Sequence, residues 1–285
     1  EFSLLSKETA VNDNGEVNTN DEARAIAAAD ASNAVKQKGV FYFDVSDGKP
    51  LIIKVGISST GFQGAALNLK TEAPHWDFEK YKANALRVWN AQLAKVIVEE
   101  KNKDKLSTFY TSLYHCFIHP SLNMDVDSTY RGRDKRIYKA SNFTNYTVFS
   151  LWDTYRALHP LFTIIERNRT RDFINSFLAQ YQQAGRLPVW ELSSNETDCM
   201  IGFHSVSVIT DALIKGIKGI DTAAIYKAMV AASNYTDFGI PEFNKKGFLQ
   251  IDDEAESVSR SLEYAYDNWC IAQTARYMNR KDDER

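Results

Sequence analysis

Cysteine is scarce in this chain: Cys116, Cys199 and Cys270 are the only three in 285 residues, and they lie far apart. That spacing excludes a disulfide-dense scaffold. Each sits among apolar or aromatic neighbours on a helical pattern, which reads as a buried free thiol, with one disulfide plus a spare thiol as the alternative. An excess of positive charge is also missing, with 34 basic against 37 acidic residues and a formal net charge of -3. A phosphate backbone would demand the opposite balance, so nucleic acid is not an expected partner. No run approaches the roughly 18 to 20 consecutive apolar residues of a membrane span, and the start, EFSLLSKETAVNDNGEV, has no basic segment followed by an apolar one. Neither a membrane nor a leader peptide is expected from these features. No fixed-period repeat is present either.

What the chain has is 44% hydrophobic residues, enough for a sizeable core in one large domain or two ordinary ones. The runs GVFYFDV and PLIIKVGIS, rich in β-branched and aromatic residues and separated by SDGKP, predict a hairpin belonging to a larger sheet. From about residue 77 the period becomes helical. In DFEKYKANALRVWNAQLAKVIVEE, the residues Leu86, Trp89, Leu93, Val96 and Ile97 recur at intervals of three and four. KLSTFYTSLYHCFI, SLWDTYRALHPLFTIIE, TRDFINSFLAQYQQ, CMIGFHSVSVITDALIKGI, TAAIYKAMVAAS and ESVSRSLEYAYDNWCIAQTARYMN continue the pattern, and Pro120, Pro188 and Pro241 fall in the linkers.

Several residues are candidates for chemistry. His115 and His119, four apart with Cys116 between them, suit zinc on one helical face, but no HExxH glutamate accompanies them, and core or interface histidines are the plainer reading. NMDVDSTYRGRDK clusters Asp125, Asp127 and Asp134 with three arginines, either a solvated salt-bridged loop or a ligand-facing one; the glycine and final glutamate of an EF-hand are missing. In SLWDTYRALHP, Asp153 and Arg156 serve as a helix cap and its ion pair, or, with Trp152 stacked on a sugar face, as a carbohydrate subsite. LPVWELSSNETDCMIGFHS places Glu191, Glu196 and Asp198 at a loop-to-helix junction, either as caps or as catalytic carboxylates held on a rigid frame. Sequons stand at Asn142, Asn145, Asn168, Asn195 and Asn234, meaningful only in a eukaryotic secretory setting.

The run RLPVWELSSNETDCMIGFHSVSVITDALIKGI, with LIIKVGISSTGFQGAALNL, WDF, FYTSLYH, YRGRD, SLWDTYRALHPL and ESVSRSLEYAYDNWCIAQTA, resembles glycoside hydrolase family 92, the calcium-dependent exo-α-mannosidases. The motifs keep the family's order and cover residues 39 to 278. The resemblance implies a mainly α chain: part of an (α/α)6 toroid preceded by a β-sandwich remnant and a helical linker. The sandwich part would be 1–75, the linker 76–100 and the catalytic barrel 101–285.

It also implies hydrolysis of terminal α-linked mannose from mannans or N-glycans by inversion, with calcium helping to bind and distort the sugar. In that scheme a carboxylic acid protonates the leaving oxygen while a second carboxylate activates water on the opposite face. The acid would be Glu196, in the motif written here NET. Trp152, Asp153, Arg156 and Glu256 would line the sugar site, and no calcium ligand is assigned. The base would come from a later glycine-rich loop that does not occur before Arg285, so the expectation is an internal fragment, inactive alone, of a secreted or periplasmic enzyme. Where members acting on α-1,2 linkages carry His-Glu, this chain has Ala255-Glu256, so the motif assigns no linkage. The alternative from another class is a helical module that binds mannose without cleaving it.

Overall fold

The structure, a computed structural model, describes residues 42–44, 46 and 48–283, together with strand residues 3–4, 10–11 and 17–18. The described part is mainly helical. It divides into one unit of residues 1–83 and 124–129 and a second of 84–123 and 130–285.

In the first unit, β1 (Ser3–Leu4) pairs antiparallel with β4 (Val55–Gly56), and β2 (Ala10–Val11) with β3 (Val17–Asn18). Helix α1 (Phe62–Glu72) lies so close on β4 that a Cβ at Gly56 would sit 2.5 Å from the Ala65 carbonyl oxygen. The hairpin expected over 39–58 is not what forms. Residues 42–44 and 48–54 carry no strand, and the strand at 55–56 pairs with β1 instead; the remainder of the first run lies outside the described residues. Leu51, Ile52 and Ile53 are exposed, so these apolar residues gain no burial of the kind that fixes a strand's register. Asp125 is buried here. Its carboxylate accepts from Ser58 Oγ (2.7 Å), Asn68 Nδ2 (2.7 Å) and the Thr60 hydroxyl, which makes it an internal tie rather than a solvated loop charge.

Helix α2 (Phe78–Leu93) carries the chain into the second unit. There, α3 (Lys103–Cys116) starts at Asn102, whose side chain accepts the N–H groups of Asp104 and Lys105. The helix stops at Cys116, so His115 and His119 do not share a helical face. Both are exposed, and neither the core reading nor the zinc reading describes them. Among the described residues, no group of three His, Cys, Asp or Glu side chains is arranged to hold a metal ion. The cysteines are all free, but Cys199 is exposed, contrary to the buried-thiol expectation.

Five short strands follow: β5 (Ser121–Leu122) pairs with β8 (Tyr146–Thr147), β6 (Thr129–Arg131) with β7 (Ile137–Lys139), and β9 (Phe149–Ser150) leads straight into helix. The single helix expected over 150–166 is two, α4 (Leu151–Thr154) and α5 (Leu158–Ile165). Pro160 explains the break. Its ring excludes the carbonyl four residues earlier and it has no N–H, so it fits only the first turn of a new helix.

Helix α6 (Arg167–Ala184) ends at Gly185, whose φ of 72° is the left-handed cap a Cβ would strain. β10 (Trp190–Leu192) and β11 (Asn195–Glu196) precede α7 (Ser205–Ile214), which is buried from Ser205 to Leu213 apart from the half-buried Asp211. α8 (Thr222–Ser233), α9 (Ile240–Lys246) and α10 (Ser257–Tyr277) complete the helices, α10 packing mainly on α7 and α8. The core of this unit is aromatic at its centre, where Phe149, Phe162, Phe173 and Phe177 are within 1% of complete burial.

His159 stands in that core with neither ring nitrogen hydrogen-bonded to protein, beside a cavity of about 340 Å³ that Phe149 and Trp190 also line. Burial pushes its imidazole down to about 4 from 6.5. Between those values the unfolded chain binds a proton that the folded chain refuses, so stability falls as pH drops from 6.5 towards 4 and is unaffected above that window. The loss should approach about 3 kcal/mol. Urea melts at pH 7 and pH 4.5 should show it, and His159→Phe, which does not titrate, should remove that part of the difference.

Candidate active site

The stretch expected to be a loop-to-helix junction is a tight antiparallel hairpin. Glu191 faces Glu196 and Leu192 faces Asn195, and the two turn residues Ser193 and Ser194 have φ of 48° and 66°, as a type I′ turn requires. On its other side β10 pairs with β9, Trp190 opposite Ser150 and Glu191 opposite Phe149. With strands in the order β11-β10-β9 and about 4.8 Å between neighbours, the backbones of Glu196 and Phe149 are about 10 Å apart. Since α4 begins at Leu151, this small sheet sets the Glu196 hairpin and the Trp152–Arg156 segment in one frame.

Both oxygens of the Glu196 carboxylate are occupied. Oε2 accepts the N–H of Val189 (2.9 Å), and Oε1 those of Trp190 (2.7 Å), Thr197 (3.1 Å) and Asp198 (3.2 Å). Arg133 Nη2 stands 3.9 Å from Oε2, while its Nη1 donates to the Arg186 carbonyl at 2.8 Å. Burial holds the Arg133 guanidinium below its ordinary range, opposed by the charge of Glu196. Arg186 in turn pairs with Asp198 at 2.5 Å and lies over the Tyr235 and Phe238 rings.

Glu191, across the hairpin, is 1% exposed and accepts from Thr147 Oγ1 (2.9 Å), Val148 N–H (3.2 Å) and Ser194 N–H (2.6 Å). Burial raises its carboxyl above the usual range, with Glu196 adding to the rise and the three donors opposing it. The backbone here is strained. Val148, a β-branched residue, has φ of 66°, and Asp198 has φ of 50°, conformations that survive only where surrounding structure enforces them.

A second polar cluster surrounds Glu263 on α10. Trp152 Nε1–H donates to Glu263 Oε1 at 3.0 Å, Arg156 Nη2 to the same oxygen at 3.3 Å, and the Tyr155 hydroxyl to Oε2 at 3.4 Å. His204 Nε2 lies 3.3 Å from Oε2 without hydrogen-bond alignment, and its Nδ1 is 2.8 Å from Asp267. Trp152 and Arg156 therefore meet at Glu263. Asp153 turns back to accept the Ser150 hydroxyl. Glu256 precedes α10 with φ of 57°, is largely exposed and pairs with Arg260 at 3.5 Å; among the described residues no hydrogen bond or ion pair joins it to Trp152, Asp153 or Arg156. Glu263, His204 and Asp267 were not singled out from the sequence. The available signal was the spacing of four between Glu263 and Asp267, which puts both on one face of a helix.

Calcium takes about six to eight oxygen ligands. Among the described residues no group of three acidic, His or Cys side chains is arranged to hold a metal ion, and Asp125 is already saturated by Ser58, Thr60 and Asn68. The described side chains do not by themselves fit the calcium that the resemblance implies.

The family model for the glycosyl hydrolase family 92 catalytic domain matches residues 64–285. Among solved structures, the GH92 alpha-mannosidase BT3965 from Bacteroides thetaiotaomicron is 44% identical with a TM-score of 0.79 over 81% of this chain; it has also been solved in complex with mannoimidazole. The GH92 inverting mannosidase BT2199 from Bacteroides thetaiotaomicron VPI-5482 is 30% identical with a TM-score of 0.74 over 78% of this chain. The GH92 hydrolase ccman5, 22% identical over 85% of this chain, supports the fold alone, with a TM-score of 0.68. This chain spans 31% of the length of BT3965 and of BT2199, and 32% of that of ccman5. No curated protein sequence matches it.

Proposed function

Because the chain belongs to glycoside hydrolase family 92, we propose that it forms part of an exo-α-mannosidase that removes terminal α-linked mannose from mannans or N-glycans with inversion. The observation that carries this reading is the three-stranded sheet, which holds the Glu196 hairpin against the segment bearing Trp152, Asp153 and Arg156. In this reading Glu196 gives its proton to the leaving oxygen. A second carboxylate, about 6.5 to 9.5 Å away, draws a proton from water on the opposite face. The backbone donors of Trp190, Thr197 and Asp198 fix the direction in which the Glu196 carboxyl points. In this reading Trp152 offers a ring for the flat face of the sugar, Arg156 and Asp153 offer charged hydrogen bonds, and Glu256 is a further sugar contact. The same reading divides the chain into a β-sandwich remnant at 1–75, a linker at 76–100 and part of an (α/α)6 barrel at 101–285, in a secreted or periplasmic protein. No described helix is long and apolar enough to cross a membrane.

One observation favours a second reading, a module that binds mannose without cleaving it: both oxygens of Glu196 are already engaged by backbone N–H groups. Calorimetry with an α-linked mannobiose, run beside an assay for free mannose on the full-length protein, separates the two. The hydrolase reading expects both binding and release; binding heat with no mannose released would leave the binding module.

A further inference from the structure

We propose that Glu263 is a sugar-contacting carboxylate of this site, and that the buried Asp267–His204 pair is the device that positions it. The proposal rests on the mannoside reading above and adds to it a residue which that reading does not assign.

Trp152 and Arg156 turn polar atoms towards Glu263, although the Arg156 side chain is half exposed. Both donate to Glu263 Oε1, at 3.0 and 3.3 Å. A sugar that engages these two side chains therefore meets the Glu263 carboxylate as well. That carboxylate is 17% exposed, so it is reachable, and three of its four neighbours stand at 3.3 or 3.4 Å, long contacts that a sugar hydroxyl can displace. A carboxylate presenting two oxygens suits a pair of adjacent ring hydroxyls, each donating to one oxygen.

Behind Glu263 the arrangement is rigid. Asp267 is fully buried; its Oδ2 accepts the Phe203 N–H at 2.7 Å and its Oδ1 stands 2.8 Å from His204 Nδ1. Tyr155 stacks on the imidazole at 4.3 Å between centroids, and Tyr266, 5.4 Å from Tyr155, stands 6.3 Å from it. These contacts hold Nε2 3.3 Å from Glu263 Oε2, out of hydrogen-bond alignment.

Proton counting then limits the possibilities. If Asp267 were ionised and accepted Nδ1–H from a neutral imidazole, Nε2 would turn a lone pair towards a carboxylate oxygen 3.3 Å away, which is repulsive. The repulsion vanishes when Nε2 carries a proton. Either His204 is an imidazolium between two carboxylates, or Asp267 holds the proton and donates to Nδ1. Burial raises the Asp267 carboxyl above its ordinary range, and its contacts with His204 oppose the rise. Both arrangements place an N–H behind Glu263 and leave its charge to face the sugar.

The test measures methyl α-mannoside binding by calorimetry on the full-length protein and on Glu263→Gln and Glu263→Asp, with urea midpoints confirming that each variant is folded. Gln keeps the shape and an acceptor for Trp152 but loses the charge, and should raise Kd roughly 10- to 100-fold. Asp restores the charge on a shorter stem and should recover part of that loss. Unchanged affinity in folded Glu263→Gln, with the wild type binding normally, overturns the inference and leaves the mannoside reading standing. Absence of wild-type binding overturns both. For the positioning pair, nitrogen-15 NMR of the His204 ring should show Nε2 protonated from pH 6 to 8; an unprotonated Nε2 in that range would overturn its assigned role.

Discussion

Glu196→Gln in the full-length protein should slow release of mannose from an unactivated α-mannoside by roughly 10²- to 10⁴-fold, the contribution of a general acid to a poor leaving group. The substitution is not silent in structure. One Glu196 oxygen accepts Val189 N–H and faces Arg133, and three N–H groups converge on the other. An amide can satisfy only one of these sides; its NH2 then faces a donor, at a cost of about 1 to 3 kcal/mol. Rates must therefore be compared on protein shown to be folded. A second substrate isolates the chemistry. An aryl mannoside whose leaving group departs as a stable phenolate needs little proton transfer, so Glu196→Gln should keep most of its rate there. Equal losses on both substrates would identify Glu196 as a structural strut of the hairpin and remove it as the acid.

Phe177→Ala should be the most destabilising single change in the second unit, costing about 3 to 5 kcal/mol. The side chain is completely buried, and its ring meets that of Phe149 nearly edge-on at 4.8 Å. Phe149 belongs to β9, which hydrogen-bonds to the strand bearing Glu191. The void would open directly beneath the sheet that frames the candidate site, and the ring of Phe149 is held from moving into it by its own contact with Phe173, which packs on Phe162. Against a typical total of about 5 to 15 kcal/mol, such a loss would shift the urea midpoint strongly. A loss below about 1 kcal/mol would show that this aromatic cluster collapses without penalty.

The helices were largely legible because burial on one face imposes a period of three and four, sustained through α6 and α10; in α2 only Trp89 and Leu93 lie partly buried against the core, while Leu86 and Ile97 of the same pattern are exposed. The failures have local causes. Pro160 divided a run whose apolar spacing continues across it. Gly202, with φ of 79°, keeps the apolar CMIGF out of α7, although hydrophobicity alone could not distinguish a buried loop from a buried turn of helix. The β10–β11 hairpin turns on Ser193-Ser194 rather than Asn-Gly, so the usual turn signal was missing. Of the candidate site, Trp152 and Arg156 were legible through the company they keep. The cluster they join was not, because His204 lies 63 residues from Asp267 and Trp152 lies 111 from Glu263. No periodicity in the chain reports contacts at that separation.

The account stands or falls on whether the full-length protein releases mannose from an α-mannoside, and in which anomeric form. Proton NMR during the first minutes of reaction with an α-linked mannobiose reads both at once. Inverting hydrolysis assisted by Glu196 predicts that β-mannose appears first and converts slowly to the equilibrium mixture. Release of α-mannose first, or none at all from protein that is folded and binds the sugar, would contradict it.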